Sequence, residues 1–136
     1  MKTILSSNKL ALATILFMMG TIIAKGQSPE EILKKRAEEM YEVLKCSDEN
    51  NWKNYIKSNY SKKMLEKYEL SRHVAMFKNL NRNFTKSKLN SIEIKNQEVL
   101  MLIERTTDKH LVTFELNYDK EDDFKFNGIS IEAGEL

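Results

Sequence analysis

As far as Phe84 the apolar residues recur every third or fourth position, and after Lys86 they fall into short runs that alternate every second residue. This switch in period constrains the fold more than any other feature of the chain. When helices come first and strands last, the alternating units of a parallel sheet cannot form. The order predicts an α+β domain with helices packed across one face of an antiparallel sheet.

The helical half divides at its polar breaks. Ser28, Pro29 and Glu31 form a capping signal, and Leu33, Ala37, Met40, Tyr41 and Leu44 then line one face of a helix over 28–46. Ser47 or Asp48 caps a second, shorter helix with Trp52, Tyr55 and Ile56 on one side. Ser61 caps a third whose face is Met64, Leu65 and Tyr68. Ser71 restarts a fourth that runs to about Arg82, with Val74, Phe77 and Leu80 inward and Phe84 closing its end.

In the second half, "LNSIEIKN", "EVLMLIERTTD", "KHLVTFELNYD" and "FKFNGISIE" read as four strands of a meander with short connections. Val112, Phe114, Leu116 and Tyr118 alternate with polar neighbours, the mark of a strand buried on one face. Val99 to Ile103 is apolar throughout, which predicts a central strand covered on both faces. In the last strand Phe124 and Phe126 share a face with Ile129 and Ile131 only if a bulge at Asn127-Gly128 absorbs one residue. The strand is expected to end at Ile131, with "EAGEL" as a dispensable tail.

Residues 1–26 read as a cleavable export signal. Lys2 and Lys9 precede the uncharged run "LALATILFMMGTIIA", and Ala24 and Gly26 occupy the small-residue cleavage positions. The run is shorter than the ~20 residues of a spanning helix, and no Cys follows it to carry a lipid. A single domain over 27–136 is therefore expected in a periplasmic or extracellular setting, without a membrane anchor after cleavage. Cys46 is the single cysteine, so no intramolecular disulfide can form. It is expected to be partly buried and inert.

Removing residues 1–26 changes the formal net charge from +2 to −1. Lys45 to Lys95 carries 12 basic and 5 acidic residues, whereas Asn96 to Leu136 carries 4 and 10. Such a layout arises when two halves attract each other. A basic face able to recruit an anionic partner gives the same pattern. Nucleic acid is not the expected partner: Phe77 and Phe84, interleaved with Lys78, Arg82, Lys86 and Lys88, fit the helix core better than a stacking platform.

Residues able to do chemistry are few. Cys46 with His73 or His110 lacks a spacing that enforces a nucleophile–base pair. No metal-ligand spacing and no phosphate-binding Gly loop occur, so no cofactor is expected. "DKEDD" (Asp119 to Asp123) reads as a solvated hairpin turn. Ser71-Arg72-His73 at a helix start is the most notable polar spot: Arg72 either snorkels or pairs with Glu104, Glu115 or a ligand carboxylate.

The leader, the long first helix, "NYIKSNYSKKML", an Arg-bearing helix start and the closing "FNGISI" resemble small exported domains of the nuclear-transport-factor-like, cystatin-type class. Such domains precede secreted serine hydrolases or processing peptidases in many bacteria. The resemblance implies helices wrapped round a strongly curved four-stranded sheet, with a ligand held in the cone. The inward candidates are then Tyr55, Arg72, His73 and Glu115. No Ser-x-x-Lys or Gly-x-Ser-x-Gly occurs, so no hydrolytic residue carries over. The leading expectation is an exported, non-catalytic accessory or ligand-binding domain, monomeric or weakly dimeric. The alternatives are a small isomerase or dehydratase using His73 or Glu115, and a partner module of a separately encoded secreted hydrolase or peptidase.

Overall fold

A computed structural model of the chain describes residues 26–134. The cleavable leader predicted for residues 1–26 lies outside the described residues, except for Gly26. Four helices, α1 (Pro29–Lys45), α2 (Glu49–Asn59), α3 (Lys62–Lys67) and α4 (Leu70–Phe84), precede four strands. The strands are β1 (Ser87–Lys95), β2 (Glu98–Arg105), β3 (Leu111–Asp119) and β4 (Lys125–Ala133). They form one antiparallel meander in the order β1-β2-β3-β4.

Three of the four helix starts are capped as their sequences predict. Ser28 Oγ accepts from Glu31 N, Asp48 from Asn50 and Asn51 N, and Ser61 Oγ from Met64 N. The fourth differs: α4 begins at Leu70 after Glu69, which makes no side-chain cap bond, and it ends at Phe84 instead of Arg82. The end of α1 is closed from outside. Trp52 Nε1 donates to the Val43 and Cys46 carbonyls at 2.8 and 2.9 Å, and Asn81 Nδ2 donates to Leu44 O at 2.7 Å. These bonds satisfy carbonyls that a helix end leaves free. Cys46, expected to be partly buried, is exposed, because it is the residue at which α1 stops.

Cross-strand partners share a face of the sheet. Val99, Met101 and Ile103 of β2 oppose Leu116, Phe114 and Val112 of β3, and all six are buried beneath the helices. Helix α1 lies over β1 and β2, α3 rests on β4, and α1, α2 and α4 pack on one another. Phe77 and Phe84 belong to this core, with Phe84 edge-on to Phe114 at 5.3 Å. The opposite face carries Leu100, Leu102, Glu115 and their neighbours. Leu100 and Leu102 are only half-buried there, so β2 is central but covered by helices on one face rather than two.

The sheet is not strongly curled, contrary to the cone-like expectation. Its register breaks only on the outer strands, at Asn90 in β1 and Asn127 in β4, while the β2–β3 ladder runs without a shift from Glu98↔Asn117 to Glu104↔Leu111. Strong curvature needs bulges repeated across neighbouring strands. The Asn127 bulge does what the apolar spacing required. Phe126, Ile129 and Ile131 oppose Tyr118, Leu116 and Phe114, all on the helix side. The strand does not stop at Ile131, however. It runs on to Ala133, and Gly134 is tied down by N–H donation to Leu111 O at 2.7 Å and by accepting from Thr113 Oγ1 at 2.7 Å.

The acidic turn is not the solvated loop its composition suggests. After a 3-10 turn over Lys120–Asp122, Asp123 and Phe124 both adopt positive φ, and the carboxylates fold back onto the helices. Asp122 Oδ2 accepts from Lys62 N at 2.7 Å, Asp119 lies 3.6 Å from Lys63 Nζ, and Arg36 donates to Asp123 O at 3.0 Å. Two of the three contacts lie at the start of α3, whose free N–H groups favour negative charge.

Candidate functional site

The four residues singled out from the sequence do not converge. Tyr55 is buried inside the helical layer, and its hydroxyl donates to Arg36 O at 2.6 Å. Burial pushes its pKa well above the ordinary tyrosine value, with the neighbouring Tyr60 adding to the rise. Glu115 opposes Leu100 and Ser130, which puts it on the sheet face away from the helices. Arg72 therefore does not pair with Glu115, nor with Glu104, which shares that outer face. Arg72 and His73 alone come together, at one cleft.

That cleft lies between the α3–α4 junction and the β4 edge. It encloses about 550 Å³, within the range usual for small-ligand sites. The short α3 stops at Lys67, Tyr68 turns extended, and α4 starts two residues later. His73 locks this corner. Its Nε2 lies 3.2 Å from Met64 O, and its ring sits edge-on to Tyr60 at 5.1 Å and Tyr68 at 5.9 Å. The junction leaves Tyr68 at the cleft mouth, one of two exposed large hydrophobic residues among the described residues, with Ile131 the other. The apolar surface continues inward through Met64, Met76 and Ile129.

Two cations gather on Tyr68. The Arg72 guanidinium lies 4.8 Å from the ring centroid and Lys67 Nζ lies 5.4 Å from it. Among the described residues neither forms a salt bridge, although Glu66 and Glu69 adjoin them in sequence. Cation–π contact holds each against the ring, but like charges so placed gain from an anion set between them. An Arg held over an aromatic ring can still donate its N–H groups to a carboxylate. The corner thus combines a largely apolar slot with two cations at Tyr68.

Sequence reasoning missed Lys67, Tyr68 and the Asn127–Ile129 wall. The apolar spacing predicts Tyr68 on the face of α3, but it caps that helix instead. The available signal was its place between Lys67 and Glu69 at a helix break. Elsewhere, Arg36 at 14% side-chain exposure binds Asn59 Oδ1 at 2.8 Å and Asp123, a structural knot beside a smaller, polar cleft. No group of three or more His, Cys, Asp or Glu suited to a metal occurs among the described residues. No family model, curated protein or solved structure matches the chain.

Proposed function

We propose that the protein is a non-catalytic binding domain, acting outside the cytoplasm, that holds an anionic ligand with an apolar body in the α3–α4–β4 cleft. One observation carries this reading: Lys67 and Arg72, both without a carboxylate partner among the described residues, meet on Tyr68 at the mouth of a slot whose lining is mainly apolar. Acid–base catalysis has less support. His73 borders the cleft but its Nε2 is engaged by the Met64 carbonyl, and Glu115 faces the other way. The location outside the cytoplasm rests on the leader pattern. The partner-module reading rests on the family resemblance alone.

The test is a thermal-shift titration with octanoate, an anion with an apolar tail. Ligand that binds only the folded state stabilises it by about 2.7 kcal/mol at a hundredfold excess over Kd. The expected result is a rise in melting temperature that shrinks at high salt and disappears in Lys67→Ala/Arg72→Ala. A shift retained in the double variant, or none in the parent, overturns the reading.

A further inference from the structure

The wall of the cleft opposite the cations is a strand edge, and that edge is unguarded. Strand β4 pairs only with β3 among the described residues. Gly134 N donates to Leu111 O, so by alternation Glu132, Ser130 and Gly128 turn their backbone groups toward β3. Ile129, Ile131 and Ala133 therefore turn theirs outward. The bulge at Asn127 reverses the alternation, which puts the Phe126 carbonyl outward as well. That carbonyl is taken, since it accepts from Ser61 N at 2.8 Å in a parallel bridge between Tyr60 and Phe126. The edge is closed at Phe126 and open from Ile129 onward.

Sheet edges are normally blunted by lysines, prolines or bulges. The other edge, β1, has Lys88, the Asn90 irregularity and Lys95. Beyond Asn127, the β4 edge has only Glu132, and it shows Ile131 at 38% exposure. Ile129 and Ile131 carry both the outward backbone groups and side chains on the helix side. Residues of an added strand that paired with them would put their own side chains on that side too, near Met76 in the cleft.

We propose that the anionic ligand of this cleft is the C-terminal end of an extended polypeptide, added as a strand antiparallel to β4 with its terminal carboxylate on Arg72 and Lys67. Three features of the site fit together in this reading. The open edge supplies donors and acceptors at every second residue. The Tyr60–Ser61 segment blocks the strand at Phe126, which suits a chain end better than a chain passing through. The two cations, unpaired among the described residues, share the cleft with Asn127, Gly128 and Ile129, the β4 residues next to that block. An antiparallel strand brings its C-terminus to that end, and strand addition is a common mode of peptide recognition. The inference rests on the cleft reading and specifies its ligand.

The test uses a fluorescein-labelled pool of heptapeptides in which Val, Ile or Phe alternates with Ser or Thr and the C-terminal carboxylate is free, read by polarisation alongside the octanoate titration. Binding is expected, weakened about tenfold or more when the carboxylate is amidated, as loss of a charge-assisted bond implies. Backbone N-methylation is expected to abolish binding at alternate positions and to spare those between, a period of two that no compact ligand produces. Ile131→Pro, which removes one outward N–H and leaves the β3 bonds intact, is expected to lose peptide but keep the octanoate shift. Octanoate binding without peptide binding overturns this inference and leaves the cleft reading standing. Failure of both ligands overturns both. A concentration-dependent dimer that Ile131→Pro disrupts assigns the edge to a second copy and overturns the peptide reading.

Discussion

Replacing Arg36 by Met tests whether the knot between α1, α2 and the β3–β4 turn depends on a buried amide or on an ion pair. Met keeps most of the aliphatic stem, so packing is largely retained. The change removes the donor to Asn59 Oδ1, which lies in a side chain only 6% exposed. A buried acceptor left without a donor costs about 2 kcal/mol. The contact with Asp123 adds less than ~1 kcal/mol, because that carboxylate is 75% exposed. Arg36 Nε is itself buried without a partner among the described residues, so its removal returns about 1 kcal/mol. The net loss is about 1–2 kcal/mol, equivalent to a fall of roughly 4–8 °C in melting temperature for a domain of this size. Circular dichroism melts of four proteins decide the matter: parent, Arg36→Met, Asp123→Asn and Arg36→Met/Asn59→Leu. Asp123→Asn, which tolerates the positive φ, should fall by no more than about 4 °C. The double variant should recover part of the loss, since both polar partners are then gone. Equal losses in the two single variants, or no recovery in the double, would rule out the buried amide as the source of the loss.

Tyr60 has a buried hydroxyl without a partner among the described residues, so Tyr60→Phe should raise stability by about 1 kcal/mol in urea unfolding; a loss would mean that the hydroxyl is bonded in solution. Burial holds the Tyr55 and Tyr60 phenols above the ordinary tyrosine pKa, so the folded state keeps protons that the unfolded chain releases. Their contribution is full below pH ~10 and is lost as pH rises beyond it; an unfolding free energy that stays flat above that point would contradict their burial. Asp108 is held below the usual carboxylate range by the His110 N–H and by Arg105. The β2–β3 turn should therefore stay ordered as pH falls through the ordinary carboxylate value and loosen only below it, followed by the amide shifts of residues 106–110. Deleting Asn127 should leave a cooperative melt, because a regular β4 still turns Ile129 and Ile131 to the helices, whereas deleting Ser130 inverts Ile131 and should broaden or abolish it.

Much of the fold was legible because the signals were local. Ser28, Asp48 and Ser61 declared their helices, and the odd spacing between Phe126 and Ile129 declared the bulge. The cleft was not legible, because it depends on where two distant segments meet. Nothing near Tyr68 announces that β4 will lie opposite, and nothing in "DKEDD" announces that its carboxylates find Lys62 and Arg36. Gly128 illustrates the difference. Its place at the bulge was readable, but the need for glycine was not, since its φ is not positive and an added Cβ would meet only the flexible Asn117 side chain, at 3.2 Å. The curved cone expected from the resemblance fails because curvature is a property of the whole sheet, which a closing motif on one strand cannot specify.

The acidic turn also sets the order in which the molecule can be completed. Arg36 and Asp123 are 87 positions apart, and the N-terminus of α3 is satisfied by Asp122 from the same late segment. Phe126, wholly buried, fills the core next to them. A chain emerging from the ribosome can form its helices early but cannot tie Arg36 and the start of α3 down until the β3–β4 turn has been made. Contacts this far apart in sequence slow folding. Until the β3–β4 turn arrives, Arg36 and the N-terminus of α3 lack the partners that this turn supplies. Assembly is thus timed by the last strand pair, and a change in Asp122 should lengthen the refolding half-time more than it shortens the life of the finished fold.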